Sequence, residues 1–166
     1  MLLPNNKNII PVAEQVDGQT AKSVSVVPTR GVSEGFAALL AYDPEADLAT
    51  NTAGMTDAAG NVVAGEVTQA VRDSSSDAGP IATGDWLGIS RSGIEVVHAE
   101  LSAACCELLG KLLGPGHEIV TLIEGEGAKA GTTRRITGWL GEHHPGVEAE
   151  IHHGGQPLYP YLFGIE

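Results

Sequence analysis

The sequence predicts an α/β fold, because helix-periodic and strand-like segments alternate along its 166 residues. Runs rich in β-branched residues, such as 24–27 and 119–123, are typical of buried strands. The stretch 101–112 instead repeats its apolar residues at helical spacing and stops before Gly114-Pro115. The pattern changes character near residue 62, so we expect two lobes, 1–62 and 63–166.

The first lobe is predicted to open with a short strand at 2–4, a helix and a second strand at 24–27. Asn8 can cap the helix, and Pro11 is tolerated in its first turn. The helix is expected to end at Asp17-Gly18.

Two further helices are predicted before residue 62. Ser33 caps the first of them, and its inward-facing residues are expected to be Phe36, Leu39 and Leu40. The second runs from about 47 to 59, and Gly60 is placed for a left-handed C-cap.

The second lobe is predicted to be richer in strands. Strand 66–72 leads into 74–80, a mobile loop rich in Ser, Gly and Pro, and then into a hairpin of 86–89 with 94–97. Helix 101–112, strand 119–123 and a helix that ends near His143 follow. Strand 147–153 and an apolar strand at the end of the chain complete the lobe.

Composition disfavours several classes of function. A net charge of −12 disfavours binding to nucleic acid or to an anionic membrane, since both need clustered Lys and Arg. No uncharged apolar run is long enough for an integral membrane segment, and Met1-Leu2-Leu3 before Pro4 is too short for a signal peptide. The adjacent cysteines Cys105 and Cys106 form no CxxC motif, which indicates reduced, structural thiols and a cytoplasmic protein.

Paired histidines at 143–144 and 152–153 suggest metal binding, but strand alternation weakens this interpretation. Val147, Ala149, Ile151 and His153 share one face of the strand, whereas Glu148, Glu150 and His152 share the other. We therefore expect His153 to point inward beside Gly154-Gly155, and His152 to be solvated. No ligand-spaced motif supplies further donors, so no metal site is predicted.

Candidate binding residues follow the predicted strands, because ligands of α/β sheets bind beyond the carboxyl ends of strands. Those at strand exits are Asn5, Asn6, Thr29, Arg30, His153 and Gln156. Polar strand exits also arise because helices need caps, so both interpretations stay open.

Arg72 is a further candidate, since it shares a predicted strand face with Glu66 and precedes Asp73. Its guanidinium could bind a carboxylate or phosphate, or form an internal ion pair. The sequence contains no P-loop, no Gly-x-Ser-x-Gly elbow and no nucleophile–base pair, so no catalytic residue is predicted.

The segment 156–161 is predicted to be a recognition turn. Pro157 and Pro160 restrict φ at two positions and hold Tyr159 and Tyr161 in place. Tyrosine is enriched at interface hot spots. The alternative is that both rings cover the end of the sheet.

Five stretches resemble the C-terminal region of the fatty acid kinase ATP-binding subunit, which belongs to a dihydroxyacetone kinase-like family with a DAK2 domain. They occur in the family's order, cover nearly the whole chain and lie at 3–9, 26–29, 37–48, 65–73 and 154–161. The resemblance implies a DegV-like, two-lobed fold. Residues 1–62 would then be a partial Rossmann-like parallel lobe, truncated at its N-terminus, and 63–166 a mixed-sheet lobe ending in a His-His-Gly-Gly-Gln-Pro turn and a terminal strand.

The resemblance also implies a function. The chain would be a non-catalytic domain that engages a DegV-like fatty-acid-binding protein, so that the N-terminal kinase domain of the same subunit can phosphorylate the fatty acid. ATP and magnesium are implied for that other domain, and no cofactor for this chain. Two alternatives stay open: a structural or dimerisation module forming a homodimer, and a small-molecule-binding or hydrolytic α/β enzyme with a site near His153, Arg72 and Asp73.

Overall fold

Helices occupy most of the ordered backbone in the first 62 residues of the computed structural model, which describes the whole chain from Met1 to Glu166. The chain divides into two units, Met1–Val62 (unit 1) and Val63–Glu166 (unit 2). Unit 1 contains three α-helices, which are α1 (Ile10–Ala13), α2 (Val32–Leu40) and α3 (Leu48–Asn61). A 3-10 turn at Asp17–Gln19 follows α1.

The polar run before α1 folds as a turn rather than as a helix cap. The Asn6 side-chain oxygen accepts the Asn8 amide at 2.9 Å, and the N-cap position is Ile9, so the predicted capping role of Asn8 is wrong. Pro11 does lie in the first turn of α1, where its missing amide would be unpaired in any case.

The two strands predicted for unit 1 are reduced to one parallel bridge, between Leu2 and Val26. The Leu2 amide donates to the Ser25 carbonyl and the Val27 amide to the Leu2 carbonyl, each at 2.9 Å. Below this bridge lies a small core made of Leu3, Val27, Ala38, Met55 and Ala59.

Helix α3 is defined at both ends by particular residues. The Asp47 carboxylate accepts the Thr50 amide at 2.7 Å, which is an N-cap at the predicted start. The helix continues through Gly60, whose φ is not positive, so the predicted left-handed cap is wrong. Val62 adopts an extended conformation and is buried, and the chain enters the first strand directly after it.

Helix α2 does not pack in the predicted orientation. Leu39 and Leu40 are 60% and 71% exposed, and Phe36 is half-buried, so the expectation that these residues face the core is wrong. Small residues face inward instead, because the space beneath α2 is narrow: a Cβ at Gly35 would lie 2.2 Å from Asn5 Oδ1.

Unit 2 is built on a six-stranded mixed sheet. Its strands are β1 (Val63–Gln69), β4 (Trp86–Ser90), β5 (Gly93–His98), β6 (Ile119–Glu124), β7 (Glu148–His153) and β8 (Tyr161–Ile165), and its helices are α4 (Leu101–Leu112) and α5 (Ala130–His143). The strands lie in the sheet in the order β5-β4-β1-β8-β6-β7. Only β6 and β7 are parallel. The predicted α/β class is thereby confirmed, whereas the DegV-like detail stays a prediction.

Two predictions about the strands near 66–80 are wrong. Segment 74–80 is not a mobile loop but part of a second, two-stranded sheet of β2 (Ser74–Ser76) and β3 (Gly79–Ile81). Strand β1 ends at Gln69, so Arg72 does not share its face with Glu66.

The core of unit 2 lies between the six-stranded sheet and its helices. Helix α4 packs against β1, β4 and β5, and α5 packs against α4. Fully buried residues of this core include Val67, Leu108, Leu109, Ile136, Phe163 and Ile165. Burial of these apolar side chains is the main stabilising contribution.

Candidate functional site

Three strand ends meet at one edge of the six-stranded sheet. The parallel strands β6 and β7 both end there, and the antiparallel β8 begins there. Glu124, the last residue of β6, is therefore the register partner of His153 on one side and of Tyr161 on the other. Register partners in a sheet point to the same face, so these side chains can interact.

A hydrogen-bonded chain of four side chains runs from the core to the surface at this edge. His153 Nδ1 lies 2.6 Å from Glu124 Oε2. The Thr133 hydroxyl donates to Glu124 Oε1, and its oxygen is 2.9 Å from the Tyr161 hydroxyl. Because an ionised carboxylate only accepts, the Thr133 proton goes to Glu124, and Tyr161 donates to Thr133.

Solvent exposure rises steeply along these four hydrogen-bonded side chains, from Tyr161 to His153. Tyr161 is fully buried, Thr133 is 5% exposed, and the side chains of Glu124 and His153 are 12% and 88% exposed. Burial raises the pKa of the Tyr161 hydroxyl above its ordinary value, so it stays protonated and can donate. The arrangement holds the His153 imidazole through Nδ1 and leaves Nε2 toward solvent.

The prediction that His153 points inward is wrong, although its strand face was assigned correctly. It lies on the face of Glu124, but β7 is the edge strand, and even Ile151 on that face is 47% exposed. His152, on the opposite face, is also exposed and lies 3.8 Å from Glu150 Oε2. Strand parity specifies a face, whereas burial depends on what covers that face.

Gln156 fastens the glycine turn to the end of β6. Its side-chain amide donates to the carbonyls of Ile123 and Tyr159, each at 3.1 Å. The Gly154 and Gly155 amides both donate to the Glu124 carbonyl, at 2.8 and 2.9 Å. The predicted site residue Gln156 therefore has a clear role, which is to hold the turn.

The backbone of the loop after β6 packs closely against the backbone of the same turn. The Gly125 amide donates to the Pro160 carbonyl at 2.9 Å, and the Glu126 amide to the Gln156 carbonyl at 2.8 Å. A Cβ at Gly125 would lie 2.2 Å from the Tyr159 carbonyl oxygen, so only glycine allows this approach.

The two tyrosines of the turn have different surroundings. Tyr161 is core, so the expectation that it contributes to a recognition surface is wrong, and its aromatic ring stacks 6.2 Å from that of Phe163. Tyr159 is half-buried, and its pKa is raised by burial and then by the Glu66 charge. Burial alone raises the pKa of Glu66.

Leu158, at the tip of the turn, is 75% exposed and has a φ of 69°. A left-handed conformation is uncommon for a leucine and costs free energy. The Thr68 hydroxyl donates to the Leu158 carbonyl at 2.7 Å and holds the tip in place.

Among the candidate residues of unit 1, Asn5 and Thr29 come together. The Asn5 amide donates to the fully buried Thr29 Oγ1 at 3.0 Å. Next to them, the Arg30 amide donates to the buried Glu34 carboxylate at 2.7 Å. These contacts, with the Asn6 turn, hold the loops in front of α2.

Asp73 and Arg72 are not among the hydrogen-bonded side chains that include His153. Asp73 Oδ1 accepts the amide and the hydroxyl of Thr83, each at 2.7 Å. The hydroxyl and then the amide of Thr83 lower the Asp73 pKa. Arg72 is exposed beyond the end of β1.

Sequence reasoning missed Glu124 and Thr133, which link His153 to the core. The sequence signal for these two residues was weak. Glu124 is the last residue of a strand, and Thr133 lies in the first turn of a helix with a polar start. Their connection depends on the pairing of β6 with both β7 and β8, which requires the sheet order.

No group of three or more His, Cys, Asp or Glu side chains is placed to hold a metal ion. His143 and His144 contact Trp139 instead, with ring centroids at 4.9 and 5.3 Å. None of the helices is both long and apolar enough to cross a membrane.

The cysteines are poor nucleophiles in this fold. Cys105 is fully buried, which raises the pKa of its thiol far above the ordinary value. Burial and the Glu100 charge raise the pKa of Cys106 to about 11.

Comparison with known proteins gives the family. The whole chain, 1–166, matches the FakA-like C-terminal family of fatty acid kinase subunits. Proteins described only as uncharacterized in Staphylococcus aureus strains USA300, NCTC 8325 and COL are each 37% identical over all 166 residues. The chain spans about 30% of the length of these relatives. It therefore belongs to the FakA-like C-terminal family of fatty acid kinase subunits.

Proposed function

We propose that this chain is the non-catalytic C-terminal domain of a fatty acid kinase subunit, in which it binds a DegV-like fatty-acid-binding partner. Its role is to bring the partner's fatty acid to the N-terminal kinase domain of the same subunit, which supplies ATP and magnesium. The family match supports the kinase connection. Two free cysteines support a cytoplasmic site of action, where thiols stay reduced and this branch of lipid metabolism would take place.

The observation that carries the proposal is the exposed, left-handed Leu158. Its φ of 69° would suit glycine, and its side chain contributes little to the core because it is 75% exposed. A strained, exposed apolar residue on an otherwise fastened turn is typical of a contact that functions in binding. Pre-ordering of the turn by Gln156 and Thr68 lowers the entropic cost of that contact.

His153 ends the strand that leads into this turn and is a second, polar candidate contact. Its 88% exposed imidazole donates Nδ1–H to the Glu124 carboxylate at 2.6 Å, which makes Nε2 of the neutral ring an acceptor, so a partner hydroxyl or N–H group would meet a pre-oriented acceptor. We therefore define the proposed partner surface as the turn residues Pro157, Leu158 and Tyr159, with His153 as a separate candidate contact.

The test is the affinity of the full kinase subunit for the DegV-like partner, measured by calorimetry with the Leu158→Ala variant. We expect Kd to rise about tenfold or more, which corresponds to ~1.4 kcal/mol. The melting temperature should stay near that of the unmodified chain, because the lost side chain is exposed. Val71→Ala is the matched control, since Val71 is 87% exposed elsewhere in unit 2.

Equal affinities of Leu158→Ala and the unmodified protein would remove this turn from the interface. A concentration-dependent sedimentation coefficient of the isolated chain, abolished by Leu158→Ala, would indicate the homodimeric, structural alternative instead.

The enzymatic alternative has one favourable observation, which is the carboxylate-oriented imidazole of His153 with Nε2 toward solvent. In hydrolytic enzymes a histidine held in this way acts as a general base. Neither Arg72 nor Asp73 belongs to this pair. Turnover of an acyl phosphate by the isolated chain, lost in His153→Gln and kept in His152→Gln, would favour this alternative over the binding role.

A further inference from the structure

Helix α2 presents its large apolar side chains outward and its small or polar ones inward. At 100° per residue, Val32, Phe36, Leu39 and Leu40 fall within one sector of roughly 100°. The opposite sector holds the residues that are buried, namely Ser33, Glu34, Gly35, Ala37 and Ala38. This is the reverse of the pattern expected for a helix on the surface of a folded unit.

The exposure of the outward sector is large. Val32, Leu39 and Leu40 are 47%, 60% and 71% exposed. Seven of the ten exposed large hydrophobic residues of the chain lie in the 62 residues of unit 1. Three of them, Val32, Leu39 and Leu40, share the outward sector of α2, and a contiguous apolar face marks an interaction site, whereas single exposed apolar residues are ordinary.

We infer that this α2 apolar face, made of Val32, Phe36, Leu39 and Leu40, binds an amphipathic helix from the part of the kinase subunit outside the matched region. The relatives support this occupant, since about 70% of their length lies outside the region that this chain spans. The inference rests on the proposed function, because it assumes that the chain operates within the longer kinase subunit.

Charge specifies the occupant further. Three exposed acidic residues, Asp43, Glu45 and Asp47, follow the C-terminal end of α2 directly. A helix with Lys or Arg beside its apolar stripe would complement them. A second copy of this chain would bring the same acidic residues against itself, and each copy carries a net charge of −12.

The binding mode is a helix laid on a helix face. The occupant needs apolar residues at i, i+3 or i+4 and i+7 to pack against the four residues of the face. This contact would convert exposed leucines into buried ones, which is favourable by about 25 cal/mol per Å² of apolar area removed from water.

The test is thiol accessibility in two contexts. Leu39→Cys is labelled with a maleimide in the isolated chain, and in a chimera in which this chain replaces the matched region of the S. aureus relative. We expect labelling at least tenfold slower in the chimera. Val71→Cys is the control and should label at the same rate in both. Background is low, because Cys105 is buried and Cys106 has a pKa of about 11.

Equal labelling of Leu39→Cys in the two contexts overturns the inference. Slower labelling as the isolated chain is concentrated also overturns it, because a second copy would then be the occupant. Should the chimera fail to fold, the unmatched part of the relative is added in trans to the isolated Leu39→Cys chain, and protection or its absence decides in the same way. The Leu158→Ala affinity measurement is independent of this labelling experiment. Failure of the α2 inference therefore leaves the proposed function standing, and the reverse also holds.

Discussion

At the scale of single residues, the polar side chains buried in this protein have hydrogen-bond partners, whereas the half-buried Glu66 loses hydration without gaining one. Thr133, Glu124 and Tyr161 bond to one another inside unit 2. Glu66 lies in the middle of β1, and burial is the cause of its raised pKa, with no compensating partner. An ionised carboxylate that loses hydration without gaining a bond destabilises the folded state.

We predict that Glu66→Gln stabilises the chain at pH 7 and has no such effect below pH 4. The folded pKa lies above the ordinary 4.5, so the penalty is absent when the carboxyl is protonated in both states, and it develops as pH rises through the folded pKa. Melting temperatures of variant and unmodified chain at the two pH values check this. Glu148→Gln, at an exposed position, serves as the control. A Glu66→Gln variant less stable than the unmodified chain at pH 7 would show that the carboxylate has a favourable partner.

At the scale of elements, the periodic segments were predictable and their packing was not. Hairpin β4–β5 and helix α4 follow directly from period-two and helical patterns. The inward face of α2 was predicted incorrectly. Its apolar stripe implied that the large side chains face the core, whereas Gly35 and the alanines face it instead. In the site, the fastened turn was anticipated, but Glu124 and Thr133 depend on strand register, which one sequence does not specify.

We predict opposite effects for two glycines on neighbouring elements. Gly125→Ala places a Cβ 2.2 Å from the Tyr159 carbonyl oxygen, and backbone must shift, so we expect a loss of about 1–3 kcal/mol in unfolding free energy. Gly138→Ala, inside α5 with open space around its Cβ, should gain about 0.5–1 kcal/mol from helix propensity. Denaturant unfolding of both variants measures the difference. If Gly125→Ala were as stable as Gly138→Ala, the close approach of loop and turn would be refuted.

At the scale of the whole molecule, the last strand in sequence is a central strand in space. Strand β8 pairs with β1 through Val63↔Ile165, about one hundred residues apart, and with β6 on its other side. Such non-local pairing slows folding, because a long loop must close before the contacts form. Every residue of β8 is buried, so the sheet of unit 2 is completed only when this strand is in place.

The sheet depends on β8 most strongly at Phe163. This residue is fully buried and has Gly65 of β1 and Leu122 of β6 as register partners. We predict that Phe163→Ala lowers the free energy of unfolding by about 3–5 kcal/mol, a large part of the stability of an ordinary domain. Because both neighbours lose the same contact, amide exchange should accelerate in β1 and β6 together. Tyr42→Ala, at a 47% exposed aromatic position, should leave stability within ~0.5 kcal/mol of the unmodified chain. Faster exchange confined to one of the two neighbouring strands would contradict the central role of β8.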